Sequence, residues 1–244
     1  MNTDLAAVMP PPHVYEREYS FWPWGKLLTV AVDLICTNAL QGGVLVDYMC
    51  GTGFLLNEIA SRRPDLFVIG CDNNQVYVEY GRCKYPNIRI VEADARSFDP
   101  PRKANFAVCT AGLHHLSLKD QPMFLTKVKR DLGDNAFFLV GEEFIRDHED
   151  ENSRKKAVLE LFSELMSYLE QTKAPLEVVE AAADTFVNDW CERGEYKISK
   201  RKLETMLAEE FEIVTADPIW ADNNGELGDW LLLCKPRTTL VTTE

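Results

Sequence analysis

The sequence predicts an α/β fold: a mostly parallel sheet flanked by helices, closed by an antiparallel strand pair. Three observations carry this. Val44-Leu45-Val46 is a β-branched apolar run; it breaks at Asp47-Tyr48-Met49-Cys50-Gly51-Thr52-Gly53 and resumes as Phe54, Leu55, Leu56, Ile59 and Ala60 at helical spacing. Further short apolar runs then alternate with amphipathic stretches, as strands alternate with crossover helices. Near the end, two apolar runs at 211–216 and 229–234 flank Asn223-Asn224-Gly225, as in an antiparallel hairpin.

The totals narrow the classes. A chain of 244 residues suits one α/β domain with an insertion, and 46% hydrophobic with 27% charged residues is ordinary for a globular protein. No apolar run approaches the roughly 20 residues that cross a bilayer. Met1-Asn2-Thr3-Asp4-Leu5 lacks a basic head and a long apolar core, so no signal peptide is expected. The net charge of -13 argues against nucleic acid and anionic membrane as partners. It reads either as a self-repelling surface or as attraction for a cationic substrate. Seven cysteines, several inside apolar strands and none paired at metal-ligand spacing, fit a reducing cytoplasm and no metal.

Before the opening strand, 1–14 with Met9-Pro10-Pro11-Pro12 reads as flexible, and Tyr15, Tyr19, Phe21, Trp22 and Trp24 follow as a dense aromatic run. These rings either pack on the outside of the core or form a lid, since aromatic faces stack on flat groups and sit over cations. A helix is expected from about 26 to 40, ending at Gly42-Gly43.

Strand, glycine turn and helix form a unit that brings a ligand close to the backbone at a helix N-terminus. The string Asp47-x-x-Cys50-Gly51-Thr52-Gly53 resembles motif I of the class I S-adenosylmethionine (SAM) dependent methyltransferases. That family usually has a third glycine where this chain has Met49. The turn is therefore made either without positive φ there or with strain.

The next strand ends are acidic. Leu66 to Asp72 is a second buried run, and Rossmann-type sheets use an acid at that point to accept from both ribose hydroxyls. Asn73 or Asn74 is free to cap the following helix, which leaves Asp72 for the ribose. A third strand at 88–93 ends at Asp94-Ala95, matching the family's acidic loop, where the carboxylate accepts from the adenine amine or caps the loop. The resemblance extends the cofactor set to Asp47, Met49, Cys50, Gly51, Gly53, Asp72, Asn73, Asp94, Ala95, Thr110 and Ala111. It implies a Rossmann-like seven-stranded sheet with the last strand antiparallel, binding SAM and releasing S-adenosyl-L-homocysteine.

The fourth strand, 105–111, runs into Gly112-Leu113-His114-His115-Leu116. One histidine packs beneath the turn, or His114 or His115 takes a proton from the acceptor. A metal site is disfavoured because adjacent residues rarely point the same way and no third ligand lies at useful spacing. Amine methyltransferases of DNA carry an Asn/Asp-Pro-Pro-Tyr/Phe string here; Thr110-Ala111-Gly112-Leu113-His114-His115 is instead the style of small-molecule methyltransferases. A helix at about 119–131 and a fifth strand at 136–141 follow. Glu142 to Glu151 then holds six carboxylates in ten residues. These form a solvated loop and an acidic helix start, or Glu142 and Glu143 orient an amine-bearing acceptor.

Between strands five and six, 151–195 carries two amphipathic helical stripes that either cover the cleft or join a homodimer partner. Asn188-Asp189-Trp190 and Glu195 to Ser199 look like segments of a bacterial-type small-molecule subgroup, placing Tyr15, Tyr19, Trp22, Trp24, Asn188 and Trp190 at the substrate or lid. The expected divisions are an N-terminal aromatic segment and cap helix at 1–40, the SAM-binding core at 41–145, a helical lid at 146–200, and a C-terminal helix and strand pair at 201–244. The expected function is methyl transfer to a small-molecule acceptor, cationic or amine-bearing, with natural-product metabolism as a fitting setting. A non-catalytic SAM-binding sensor or partner subunit shares every cofactor motif, and a peptide or protein methyltransferase shares most; a nicotinamide dehydrogenase lacks its third glycine here.

Overall fold

The computed structural model describes residues 9–221 and 225–237. Residues 1–8 and the Asn223-Asn224 turn lie outside that range. Pro12–Glu18 forms α1 and Trp24–Asn38 forms α2. The strand–helix alternation then runs β1 Val44–Tyr48, α3 Phe54–Arg62, β2 Phe67–Asp72, α4 Gln75–Lys84, β3 Arg89–Glu92 and β4 Ala104–Thr110. A 3-10 turn at Leu113–His115 leads to α5 Asp120–Asp131 and β5 Leu132–Phe144. Three helices follow, α6 Glu151–Thr172, α7 Leu176–Trp190 and α8 Lys200–Glu210, before β6 Phe211–Ala221 and β7 Gly228–Pro236.

The seven strands lie in the order β3-β2-β1-β4-β5-β7-β6. The first five are parallel, and β7 runs antiparallel to both neighbours. This is the expected sheet. Side chains alternate across it with the period of two that strands impose. Val44, Val46 and Tyr48 pack with Phe124, Phe138 and Phe211 on one face. Leu45 faces the other, against Leu27, Ile35 and Leu56. β1 pairs with both β2 and β4. The chain order reverses at that point, so a crevice opens at the carboxyl ends of these strands, where ligands of open α/β sheets bind.

Three local expectations change. Residues 12–14, read as flexible, begin α1, because Pro12 fits the first helical turn and Val14 is buried. The next helix starts at Trp24, two residues early, right after Pro23. A Cβ on Gly25 would lie 1.9 Å from the Tyr19 carbonyl oxygen, so only glycine lets that helix start so close to the preceding turn. β5 outruns the apolar stretch 136–141 because β7 pairs with it as far as Phe144. Among the described residues no helix is long and apolar enough to cross a membrane.

Helix α1 straps the open end of the sheet. Glu16 accepts from Tyr80, Lys84 and Tyr85 around α4, and Tyr77 donates to the Pro10 carbonyl at 2.7 Å. On the other side, Arg17 pairs with Glu177 of α7. The aromatic run therefore both packs and covers.

Candidate active site

The glycine turn is held from two sides. The Cys50 N–H donates to the Cys71 carbonyl at 3.0 Å, and the Gly51 N–H donates to Asp72 Oδ2 at 2.8 Å. Three alternate residues are left-handed: Met49 at φ 59°, Gly51 at 55° and Gly53 at 81°. Met49 thus takes the strained option, a conformation that costs a non-glycine residue about 1–3 kcal/mol and clusters at ligand sites. Ala111, at the end of β4, is left-handed as well, at φ 48°. The Tyr15 ring lies on the turn: a Cβ on Gly51 would meet its hydroxyl at 3.0 Å.

Asn74 caps α4, accepting from the Val76 and Tyr77 N–H groups. Asp72 accepts from the Asn74 N–H at 2.8 Å as well as from Gly51, so it braces the loop with both oxygens. Asp47 is buried behind it; burial first, then the Asp72 charge, raises its pKa well above the usual carboxylate range. Asp94 has a partner that spacing did not suggest. Arg96 binds its carboxylate by side chain and backbone and holds its pKa below the ordinary value.

A cleft of about 1040 Å³ runs along these strand ends. Met49, Gly51, Asp72, Asn73, Asp94, Ala95 and Ala111 line it, together with Tyr77, Gln75 and Arg193. Asp47, Cys50, Gly53 and Thr110 shape the turn and strand ends without lining it. The left-handed turn, the acid at the second strand end and the volume together fit SAM.

A smaller chamber, with a cavity volume of about 80 Å³, lies beyond it. Tyr15, Ala111 and His115 line both spaces. Trp22 and Trp24 close the chamber from the strap, while Glu142, Glu143 and Asp229 come from β5 and β7. Tyr19, Asn188 and Trp190 do not line it. Tyr19 is wedged between Trp24 and Phe54. The Asn188 carbonyl accepts from the Arg193 N–H, and the Trp190 carbonyl accepts from Arg154.

The chamber wall is a buried charge network. Glu142 accepts from the Gly112 and Leu113 N–H groups and lies 2.5 Å from His114 Nδ1. Lys197, 2% exposed, meets Glu195 at 2.9 Å, Asp189 at 3.3 Å and Glu143 at 3.6 Å. Burial alone would lower the His114 pKa, but the Glu142 and Glu195 carboxylates outweigh it and raise it. For His115 burial wins and the pKa falls, Glu195 opposing. Glu195, which burial would raise, is drawn down to about 2, chiefly by Lys197. Asp229 is pushed well up by burial and then by Glu143 and Glu142, with Lys197 opposing.

Sequence spacing gave His114 and His115 no third metal partner; the fold supplies Glu195, with donor atoms of all three within 4.8 Å of one another. Nδ1 of each histidine and a Glu195 oxygen are already engaged, by Glu142, the Gly194 carbonyl and Lys197. The lysine beside Glu195 makes the set a poor seat for a divalent cation.

The Asp229 environment has a consequence for stability. Its folded-state pKa lies above the unfolded value of about 3.9, so this stabilisation is complete below that value and is lost as pH rises through the folded pKa. Asp229→Asn cannot ionise. The wild type is expected to lose more Tm than the variant between pH 5 and pH 8, by several degrees at about 2–4 °C per kcal/mol. Thermal scans of both proteins at the two pH values check this.

The methyltransferase-domain family model matches residues 45–135, the stretch that holds the glycine turn and the acidic strand ends. Over 111 residues the chain is 25% identical to the tRNA (carboxymethyluridine(34)-5-O)-methyltransferase of Saccharomyces cerevisiae, covering 45% of this chain and 36% of that protein. Over 84 residues it is 31% identical to the trans-aconitate 2-methyltransferase of an Enterobacter species, covering 34% and 33%. The chain thus spans about a third of the length of these curated relatives. Among solved structures, the N-methyltransferase NodS of Bradyrhizobium japonicum shares the fold with a TM-score of 0.57 at 11% identity, over 88% of this chain and 97% of that one.

Proposed function

We propose that this protein transfers a methyl group from SAM to a small-molecule acceptor held in the inner chamber. The observation that carries this reading is the junction of the two spaces at Ala111 and His115, which joins a cofactor-sized cleft to a smaller pocket walled by Trp22, Trp24 and buried acids. SAM, when bound, supplies an electrophilic sulfonium methyl and leaves as S-adenosyl-L-homocysteine. The Gly51 turn, Asp72 and Asn73 hold it, and Asp94 and Ala95 border its base. Trp22, Trp24 and Tyr15 exclude water and align the acceptor, which is most of what an already activated electrophile requires.

The acceptor proton is assigned to His115 rather than His114. Nδ1 of His115 lies 3.0 Å from the Gly194 carbonyl, so Nδ1–H donates there and Nε2 is left to accept. Its lowered pKa keeps it neutral at physiological pH. His114, clamped by Glu142, fixes the turn instead. With a saturated acceptor, kcat is expected to rise with pH through a pKa below the usual histidine value of about 6.5 and to level above it. His115→Gln abolishes that limb, whereas an unchanged profile in the variant removes His115 from this role.

The chamber's acidic wall and the net charge of -13 favour a small acceptor over a polyanion such as tRNA. The cytoplasm is the setting we assign, since the seven cysteines are all unpaired. Calorimetric titration with S-adenosylhomocysteine, followed by assay of labelled SAM against amines and alcohols, tests the proposal. No heat and no thermal shift with S-adenosylhomocysteine overturns it.

A further inference from the structure

Strands β5 and β7 set Glu143 and Asp229 directly opposite each other. Opposed residues of an antiparallel pair share one face, and like charges there are destabilising. Asp229 is 1% exposed, and neither of its oxygens has a hydrogen-bond donor among the described residues; nor has Oε1 of Glu143. Lys197 does not answer this need, because Glu195 and Asp189 hold it more closely than Glu143 does. A buried acceptor left without a donor pays its desolvation without recompense. Three such oxygens at one wall of a cavity point to a ligand that brings donors and positive charge. The facing wall suits the same ligand: Trp22 and Trp24 are buried there beside Glu18, which has no cationic partner among the described residues.

We infer that the inner chamber is an ammonium subsite, in which Asp229 and Glu143 accept N–H bonds from a cationic amine on the acceptor while Trp22 and Trp24 wall it in. A primary ammonium carries three donors, matching the three orphan oxygens. An alcohol brings one donor and no charge, and a carboxylate would meet a wall of its own sign. Calling the ligand an acceptor rests on the methyl-transfer reading; the binding site itself does not. Burial raises the pKa of both Asp229 and Glu143, Lys197 opposing, and a bound cation favours their ionised forms, so amine binding draws protons off this pair.

The test is calorimetry of the full chain, with and without S-adenosylhomocysteine, titrated with propylamine, 1-propanol or sodium propionate at pH 8. Two buffers of different ionisation enthalpy report the protons released. Propylamine is expected to bind with proton release, and the alcohol and the propionate at least tenfold more weakly. Asp229→Asn and Glu143→Gln are each expected to weaken propylamine at least tenfold while leaving S-adenosylhomocysteine affinity unchanged. Equal binding of the three probes, or propylamine affinity within twofold of wild type in both variants, overturns the subsite. Failure of S-adenosylhomocysteine to bind the wild type strikes the methyl-transfer reading alone, because the propylamine titration without it still reads the subsite.

Discussion

Replacing Lys197 with methionine is expected to destabilise the protein by about 3–5 kcal/mol, the usual cost of removing one partner from a buried ion network. The side chain is 2% exposed and is the lysine that meets Glu195, Asp189 and Glu143. Methionine keeps the volume, so the loss reports charge rather than a cavity. The pH dependence follows by sign. Glu195, with a folded pKa of about 2, contributes stability that is present above its unfolded value near 4.3 and is lost as pH falls through the folded value. Without Lys197 that depression shrinks, and carboxylates that cannot find a cation take protons instead. The deficit of Lys197→Met is therefore expected to be largest at pH 8 and smaller at pH 5. Urea unfolding at the two values checks it, and a variant within 1 kcal/mol of wild type at pH 8 would show that the network is solvated.

The second large effect is on cofactor affinity. Asp72→Ala is expected to weaken S-adenosylhomocysteine binding by about 1.5–3 kcal/mol, or roughly 10- to 150-fold. The carboxylate serves two purposes at once. It accepts from the Gly51 and Asn74 N–H groups, which sets the loop, and on the proposed reading it also accepts from the ribose. Asp72→Asn keeps one accepting oxygen and is expected to lose less. Asp94→Ala is expected to cost under about 1 kcal/mol, as for a half-exposed pair, because Arg96 already occupies that carboxylate. Calorimetric Kd values rank the three variants; an Asp72→Ala protein within twofold of wild type removes the ribose assignment.

The lining of the larger cleft was legible from the chain because it is local. Asp47 to Gly53 is one strand end and one turn, and Asp72 and Asp94 each stand at the end of an apolar run. In a parallel sheet all such ends point the same way, so order along the sequence places them side by side. The left-handed backbone at Met49 was half legible: the missing glycine marked the position, but whether the chain accepts strain there depends on Cys71 and Asp72 holding the loop.

The smaller chamber was not legible in the same way. Glu142 and Glu143 stood out in an acidic run that reads equally well as solvated loop, and Asp229 is a single acid inside an apolar strand. Their meaning comes from antiparallel register, which sets Glu143 against Asp229 across 86 positions of sequence. Glu195 and Lys197 lay in a segment marked by resemblance, and only the path after α7 brings them under His114 and His115. Tyr19, Asn188 and Trp190, marked the same way, do not line the smaller chamber. The sequence by itself determined the sheet, the glycine turn and the acids bordering the cofactor cleft, because apolar periodicity and turn chemistry act between neighbours. Tertiary structure alone decided which buried charges meet, since their pairing depends on contacts among distant segments and on the loss of water around them.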